Sequence, residues 1–245
     1  GGRAIVSDGR RDQQPVAQRP TAPGPLRSAA PQGVRVVQSV SIGFGARLCV
    51  SAGSVLDFGH GTDWDRHAVA VVNAANTGGV GGGGVDAVFM ARGGEALDQD
   101  RLALPQDSNG ERIRTGDAVA TTCPADQSGY GDLFARTVIH AVGPAYGYDA
   151  SSFNASDAEL RSAYVAAMDC ASGARGGNKM SHVGFPLLSA GIFRQGRELS
   201  VVLRIAVEAV RSAAYDGLVE CHLVAPAPAV QQALCQALAE LTPDS

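Results

Sequence analysis

Residues 71–94 read VVNAANTGGVGGGGVDAVFMARGG, and this stretch decides the fold. An apolar run from Ala68 to Val72 ends at two asparagines, Asn73 and Asn76, and a glycine loop follows at Gly78, Gly79 and Gly81 to Gly84. Beyond the loop Val85, Val88 and Phe89 fall at helical spacing, so the pattern predicts strand, loop, helix. Such a turn suits an anion: glycines let backbone N–H groups approach a phosphate, and the helix dipole favours negative charge there. Glycines at such a turn also serve tight turning alone, so the neighbours of the loop matter. No Lys-Ser or Lys-Thr follows the glycines, which speaks against a P-loop. The spacing is a poor match to the dinucleotide fingerprint, and no acidic residue closes a following strand. What sets the stretch apart is the pairing of Asn73 and Asn76 before the loop with Asp86 after it.

Working outward, RLCVSAG at 47–53 alternates as a strand, and Val55-Leu56-Asp57 continues into a loop that holds the only tryptophan, Trp64, read as a packing residue. Downstream, Glu95 to Arg112 is polar, is interrupted by Pro105, and reads as a helix end followed by a surface excursion. The runs 118–122 and 137–142 are apolar and β-branched, as buried strands are. His140 inside the second reads as a buried, hydrogen-bonded structural histidine. Leu160, Tyr164, Ala167 and Met168 make one face of an amphipathic helix over 156–171. Strand 182–188 then runs into Ser189-Ala190-Gly191-Ile192-Phe193, whose small residues can turn N–H groups toward a ligand and make a second candidate phosphate loop. A helix at 198–214, a strand at 218–224 and a helix at 229–241 complete the chain. This alternation predicts an α/β fold, a three-layer α/β/α sandwich on a mixed, largely parallel sheet.

Four motifs in order resemble the macrodomain family, in particular its MacroD-type branch. They are NAAN with the glycine tetrad and Val85-Asp86, then Thr115-Gly116-Asp117-Ala118, then Val138 to Pro144 (VIHAVGP), then Phe185 to Phe193 (FPLLSAGIF). The likeness covers about residues 46–240. It implies an ADP-ribose ligand whose diphosphate lies between Gly82, Gly83, Gly84 and Val85 on one side and Ser189, Ala190, Gly191 and Ile192 on the other. It also implies that Phe193 stacks on a ribose and that Ala75 lines the pocket between the two asparagines. Macrodomains usually carry Gly-Asp-Ile where this chain has Gly53-Ser54-Val55, so Ser54 and Val55 stand at the adenine. Asn73, Asn76 and Asp86 are the catalytic residues the branch implies, with Asp86 ten residues past Asn76 positioning a water at the distal ribose. The implied activity is removal of ADP-ribose from acidic side chains of proteins, with O-acetyl-ADP-ribose as a related substrate. The alternative is a reader that binds ADP-ribose without turnover. Paired glutamates of the poly(ADP-ribose) glycohydrolases do not follow the glycines, and residues 73–94 hold no Cys or His for a zinc-dependent relative. Neither a metal nor a cofactor is implied.

Composition agrees. A net charge of −4 gives no global pull toward nucleic acid or an anionic membrane, so a nucleotide needs local donors. Five scattered cysteines in apolar runs read as reduced thiols in a reducing compartment, cytoplasmic or nuclear. Residues 1–40, rich in Gln, Pro, Ala and Arg, read as a disordered linker, or as a transit peptide for organelle import, ahead of a single domain at 41–245. A monomer is expected.

Overall fold

The computed structural model describes residues 33–240, so most of the expected N-terminal arm lies outside the described residues. Seven strands form one sheet: β1 Arg35–Ser41, β2 Arg47–Ala52, β3 Val69–Ala74, β4 Ala118–Thr122, β5 Thr137–Ala141, β6 His182–Phe185 and β7 Glu220–Ala225, in the order β1-β2-β7-β6-β3-β5-β4. The five inner strands are parallel, and the edge strands β1 and β4 run antiparallel to their neighbours. Four helices complete the layers: α1 Val85–Leu102, α2 Phe153–Ala171, α3 Leu199–Ser212 and α4 Pro228–Glu240.

The period of two along β3 sorts the layers. Val69 and Val71 pack with Phe89 and Leu97 of α1, while Ala70 and Val72 share the opposite core with residues of α2, α3 and α4. Phe89 and Leu97 are fully buried. Burial of that completeness contributes about 2 kcal/mol per side chain. Both faces of the sheet are thereby covered, which is why its inner strands read as unbroken apolar runs.

Three features depart from the expectations. Residues 35–40, assigned to the arm, belong to β1, whose ladder with β2 is interrupted between Val36 and Gln38. β6 stops at Phe185 rather than Leu188, since Pro186 has no N–H to continue a ladder. α1 ends at Leu102, as the helix end expected after Glu95, but it is broken at Gly94, where φ is 68° and ψ is −170°, a conformation that only glycine adopts readily.

The parallel strands put the loops at 53–57, 75–84, 142–148 and 186–197 at one edge, beyond the carboxyl ends of β2, β3, β5 and β6. In open α/β sheets this is where ligands bind.

Candidate functional site

The glycine loop leaves β3 through a tight turn in which Gly79 N–H donates to the Asn76 carbonyl at 3.0 Å. The N–H groups of Arg112 and Ile113 donate to the Thr77 carbonyl at 2.8 and 3.1 Å, pinning the loop to the excursion after α1. Two guanidinium groups hold its underside. Arg112 Nη1 donates to the Gly78 carbonyl at 3.0 Å, and Arg101 Nε donates to the Gly79 carbonyl at 2.6 Å.

Asp86 lies beneath this loop, 2% exposed. Its Oδ1 accepts from Asn73 Nδ2 at 2.5 Å and from Arg101 Nη2 at 2.6 Å. Its Oδ2 is buried without a partner among the described residues, and a Cβ built on Gly82 would lie 2.3 Å from it. Arg101 is fully buried, so the ion pair is removed from water on both sides. Breaking such a pair by deleting one partner leaves an uncompensated buried charge, at a cost of about 3–5 kcal/mol.

Asn73 is fully buried. Its amide meets Asp86 and lies 3.3 Å from His140 Nδ1, so it is a support for Asp86. His140 in turn contacts Thr121 Oγ1 at 3.0 Å, and burial, aided by the charge of Arg101, lowers its pKa to about 3. The reading of His140 as a buried, bonded histidine matches this placement. Asn76 sits at the loop itself. Its Nδ2 donates to the Gly81 carbonyl at 3.2 Å, and its buried Oδ1 has no partner among the described residues.

The loop keeps unpaired donors. The N–H groups of Gly81, Gly82, Gly83 and Gly84 donate to no acceptor among the described residues. Gly81 and Gly84 have positive φ, and Gly82 is confined by Asp86, so each must be glycine for a local reason. Gly83 has no such reason: its φ is not positive, and a Cβ there would meet nothing within 4 Å. A glycine facing open space beside free amides is a cradle for a group brought from outside.

The second loop follows β6, the sheet neighbour of β3. Ser189, at φ 54°, turns its hydroxyl inward to the Pro144 carbonyl at 2.7 Å, so only its backbone is left for a ligand. The N–H groups of Gly191 and Ile192 have no acceptor among the described residues, and the Cβ position of Gly191 is open. Ile192 and Phe193 are exposed at 87% and 44%. The loop is tied to α2 by Arg197, which donates to both carboxylate oxygens of Asp157 at 3.0 and 2.5 Å. Tyr146 joins the same carboxylate through its hydroxyl at 2.8 Å and donates its N–H to the Phe193 carbonyl at 2.8 Å.

At the expected adenine end, Ser54 caps a turn: its hydroxyl accepts from Leu56 N–H at 3.3 Å. Val55 and Ala75 are buried. Asp57 beside it is held by Arg92 at 2.5 Å, and Arg92 also holds Asp132 at 2.9 Å. Val85 and Ala190 are partly buried at the starts of their segments. A separate depression of about 840 Å³ opens beside β4 and includes Arg114, Arg175 and Thr122. Arg112 lines it as well and is its link to the glycine loop.

Sequence reasoning missed Arg101. It reads as one more charge in a polar helix, and its position follows only from the break at Gly94. The signal available was the Gly93-Gly94 pair inside a helical pattern.

The opposite edge of the sheet gathers a different polar group. Cys49, Glu220 and His222 present ligand-type atoms within 4.8 Å of one another. Arg47, 2.7 Å from Glu220, already supplies a cation there, and burial raises the pKa of the Cys49 thiol to about 11. All five cysteines are unpaired. No described helix is long and apolar enough to cross a membrane.

Comparison with known proteins accords with this geometry. Residues 72–203, more than half of the chain, match the Macro domain family. A macro domain-containing protein of Streptomyces nogalater is 43% identical over 149 residues, 60% of this chain and 72% of that protein. One from Streptomyces coelicolor is 39% identical over 147 residues, covering 59% and 76%. Among solved structures, the Oceanobacillus iheyensis macrodomain with ADP superimposes with a TM-score of 0.65 at 21% identity, covering 83% of this chain and 95% of that one. The Trypanosoma brucei macrodomain in complex with ADP-ribose gives 0.59 at 24% identity, covering 78% and 68%. With its sheet order, its two glycine-bearing loops and this family match, the chain belongs to the macrodomain family.

Proposed function

We propose that this macrodomain binds ADP-ribose between its two loops and, as a MacroD-type hydrolase, releases ADP-ribose from aspartate or glutamate esters on proteins. O-acetyl-ADP-ribose is a related substrate. The supporting observation is the pair of open cradles at Gly83 and Gly191, each flanked by free N–H groups, at the ends of adjacent parallel strands. Structures of relatives with ADP or ADP-ribose bound supply the ligand class.

Two buried, unpartnered oxygens border the same glycine loop, Asn76 Oδ1 and Asp86 Oδ2. In this reading they accept hydrogen bonds from the attacking water and from the distal ribose, which places the nucleophile beside the ester. The water oxygen attacks the distal ribose carbon that bears the ester, the bond from that carbon to the target carboxylate breaks, the carboxylate leaves, and ADP-ribose with its new hydroxyl remains on the loops. A phosphate oxygen of the substrate takes up the proton of the water. The assay is release of ADP-ribose from a glutamate-linked mono-ADP-ribosylated protein. Wild type is expected to be active, with Asn76→Ala and Asp86→Ala each on the order of 100-fold slower or worse.

One observation favours a reader instead: Asp86 is 2% exposed, with Gly82 closed over its free oxygen. Hydrolysis requires the loop to lift at Gly82 when substrate binds. Calorimetric binding of ADP-ribose without any release from the ester substrate would select the reader.

A further inference from the structure

We infer that Arg101 is a positioning residue of this site, a strut that holds the phosphate loop and the Asp86 carboxylate in a single register. The inference deepens the proposed function and rests on it. Residues 86 and 101 belong to one helix. Fifteen residues along a straight helix span about 22 Å. The reversal at Gly94 closes that distance to a 2.6 Å ion pair.

The guanidinium is then divided between two tasks. Nε grips the Gly79 carbonyl and Nη2 grips Asp86 Oδ1. With Asn73 on the same oxygen, the carboxylate cannot rotate freely, and Oδ2 is left as the face turned to the loop. A planar guanidinium fork can serve a backbone carbonyl and a carboxylate together, whereas the ammonium of a lysine is a point charge on a flexible stem. Arg101 is fully buried and reaches no open space, so its influence on a ligand passes through Asp86 and the loop. Arg112 provides an internal contrast. It grips the adjacent Gly78 carbonyl yet makes no bond to Asp86.

The test is a double-variant cycle on the full chain, read in ADP-ribose affinity and in ester hydrolysis, with melting temperature recorded for each protein. Arg101→Met and Asp86→Asn are combined, and Arg112→Met is combined with Asp86→Asn as the control. The pair Arg101→Met/Asp86→Asn removes both buried charges together, so it keeps the measurement interpretable if Arg101→Met alone folds poorly. Arg101→Met is expected to lower kcat roughly 30-fold with KM within about 3-fold, and Arg101→Lys to recover only part of the loss. In the presence of Asp86→Asn, Arg101→Met is expected to have less than about a 2-fold further effect, whereas the Arg112→Met and Asp86→Asn losses multiply. If wild type binds but does not turn over, the same non-additivity is expected in the dissociation constant. Losses for Arg101 and Asp86 that multiply in either readout overturn the strut. Absence of ADP-ribose binding by wild type overturns the nucleotide reading and this inference with it.

Discussion

The two edges of the parallel sheet both hold charge, but they treat it differently. At the amino-terminal edge, Arg47 binds Glu220, Glu220 lies 2.9 Å from His222 Nε2, and the other ring nitrogen of His222 lies 2.8 Å from Ser51 Oγ. The chain of contacts closes within the protein. At the carboxyl-terminal edge, Asp86 and Asn76 each keep a buried oxygen without a partner among the described residues, and the amides of Gly81 to Gly84 likewise have no acceptor there. Buried polar groups normally find partners, because an unmet one costs about 1–3 kcal/mol. A closed network therefore marks structure, and an open one beside a loop of unpaired amides supports the proposed ligand site.

The sharpest way to break this comparison is to fill the open edge. Gly83→Glu puts a carboxylate where the cradle is empty, so ADP-ribose affinity should fall on the order of 100-fold, about 3 kcal/mol, with little change in melting temperature. Titration calorimetry and thermal melting together check it. The closed edge should show the reverse. His222→Ala removes a buried ring that meets Ser51, Glu220 and Phe58, and should cost about 2 kcal/mol of stability while leaving ADP-ribose affinity within about 2-fold. Urea unfolding measures the first quantity and calorimetry the second.

Acid sharpens the comparison further. Burial lowers the pKa of His140 to about 3 from an ordinary 6.5, so the folded protein keeps this ring neutral while the unfolded chain protonates it. The sign follows: its contribution is complete above pH 6.5 and declines as pH falls toward 3, by about 1.4 kcal/mol per unit. His182 and His222 are also lowered, chiefly by burial, and act in the same direction. Denaturant melts from pH 7.5 to 5.0 should show this loss, and His140→Gln should flatten the slope by about that amount. The smallest effect is expected from Tyr146→Phe, which removes one bond to Asp157 under the second loop. It should cost about 1 kcal/mol and weaken ADP-ribose binding by about 3-fold or less.

Much of this arrangement is legible in the sequence because it depends on short-range patterns. The Ala68 to Val72 run, the glycine loop and the helical spacing after Val85 are all local, and so is the run into Ser189-Ala190-Gly191. β1 is not legible, because RVVQSVS is mostly exposed at the sheet edge and becomes a strand only by pairing with β2. Asn73 and Asp86 are legible as candidates but not in their depth. Which asparagine faces the loop and which lies beneath depends on the period of β3 and on Arg101. The inward turn of the Ser189 hydroxyl is equally tertiary, since it is claimed by the Pro144 carbonyl from a distant loop, whereas Ser54 caps its own turn through Leu56 N–H.

Trp64 is the only tryptophan, and its ring stacks on His182 at the amino-terminal edge, 3.9 Å between centroids and 23° between planes. The intrinsic fluorescence of this protein is thus a one-site optical reporter placed beside an imidazole. Protonated imidazole quenches indole emission, so the signal should dim as His182 takes up a proton below pH 6.5, and it should change again when the stack comes apart on unfolding. Because the dye-like pair sits at the end of the sheet away from the glycine loop, occupancy of the nucleotide site should leave the emission spectrum unchanged. Ligand titrations of this macrodomain therefore call for calorimetry or a labelled nucleotide, while tryptophan emission at fixed pH follows the integrity of the scaffold.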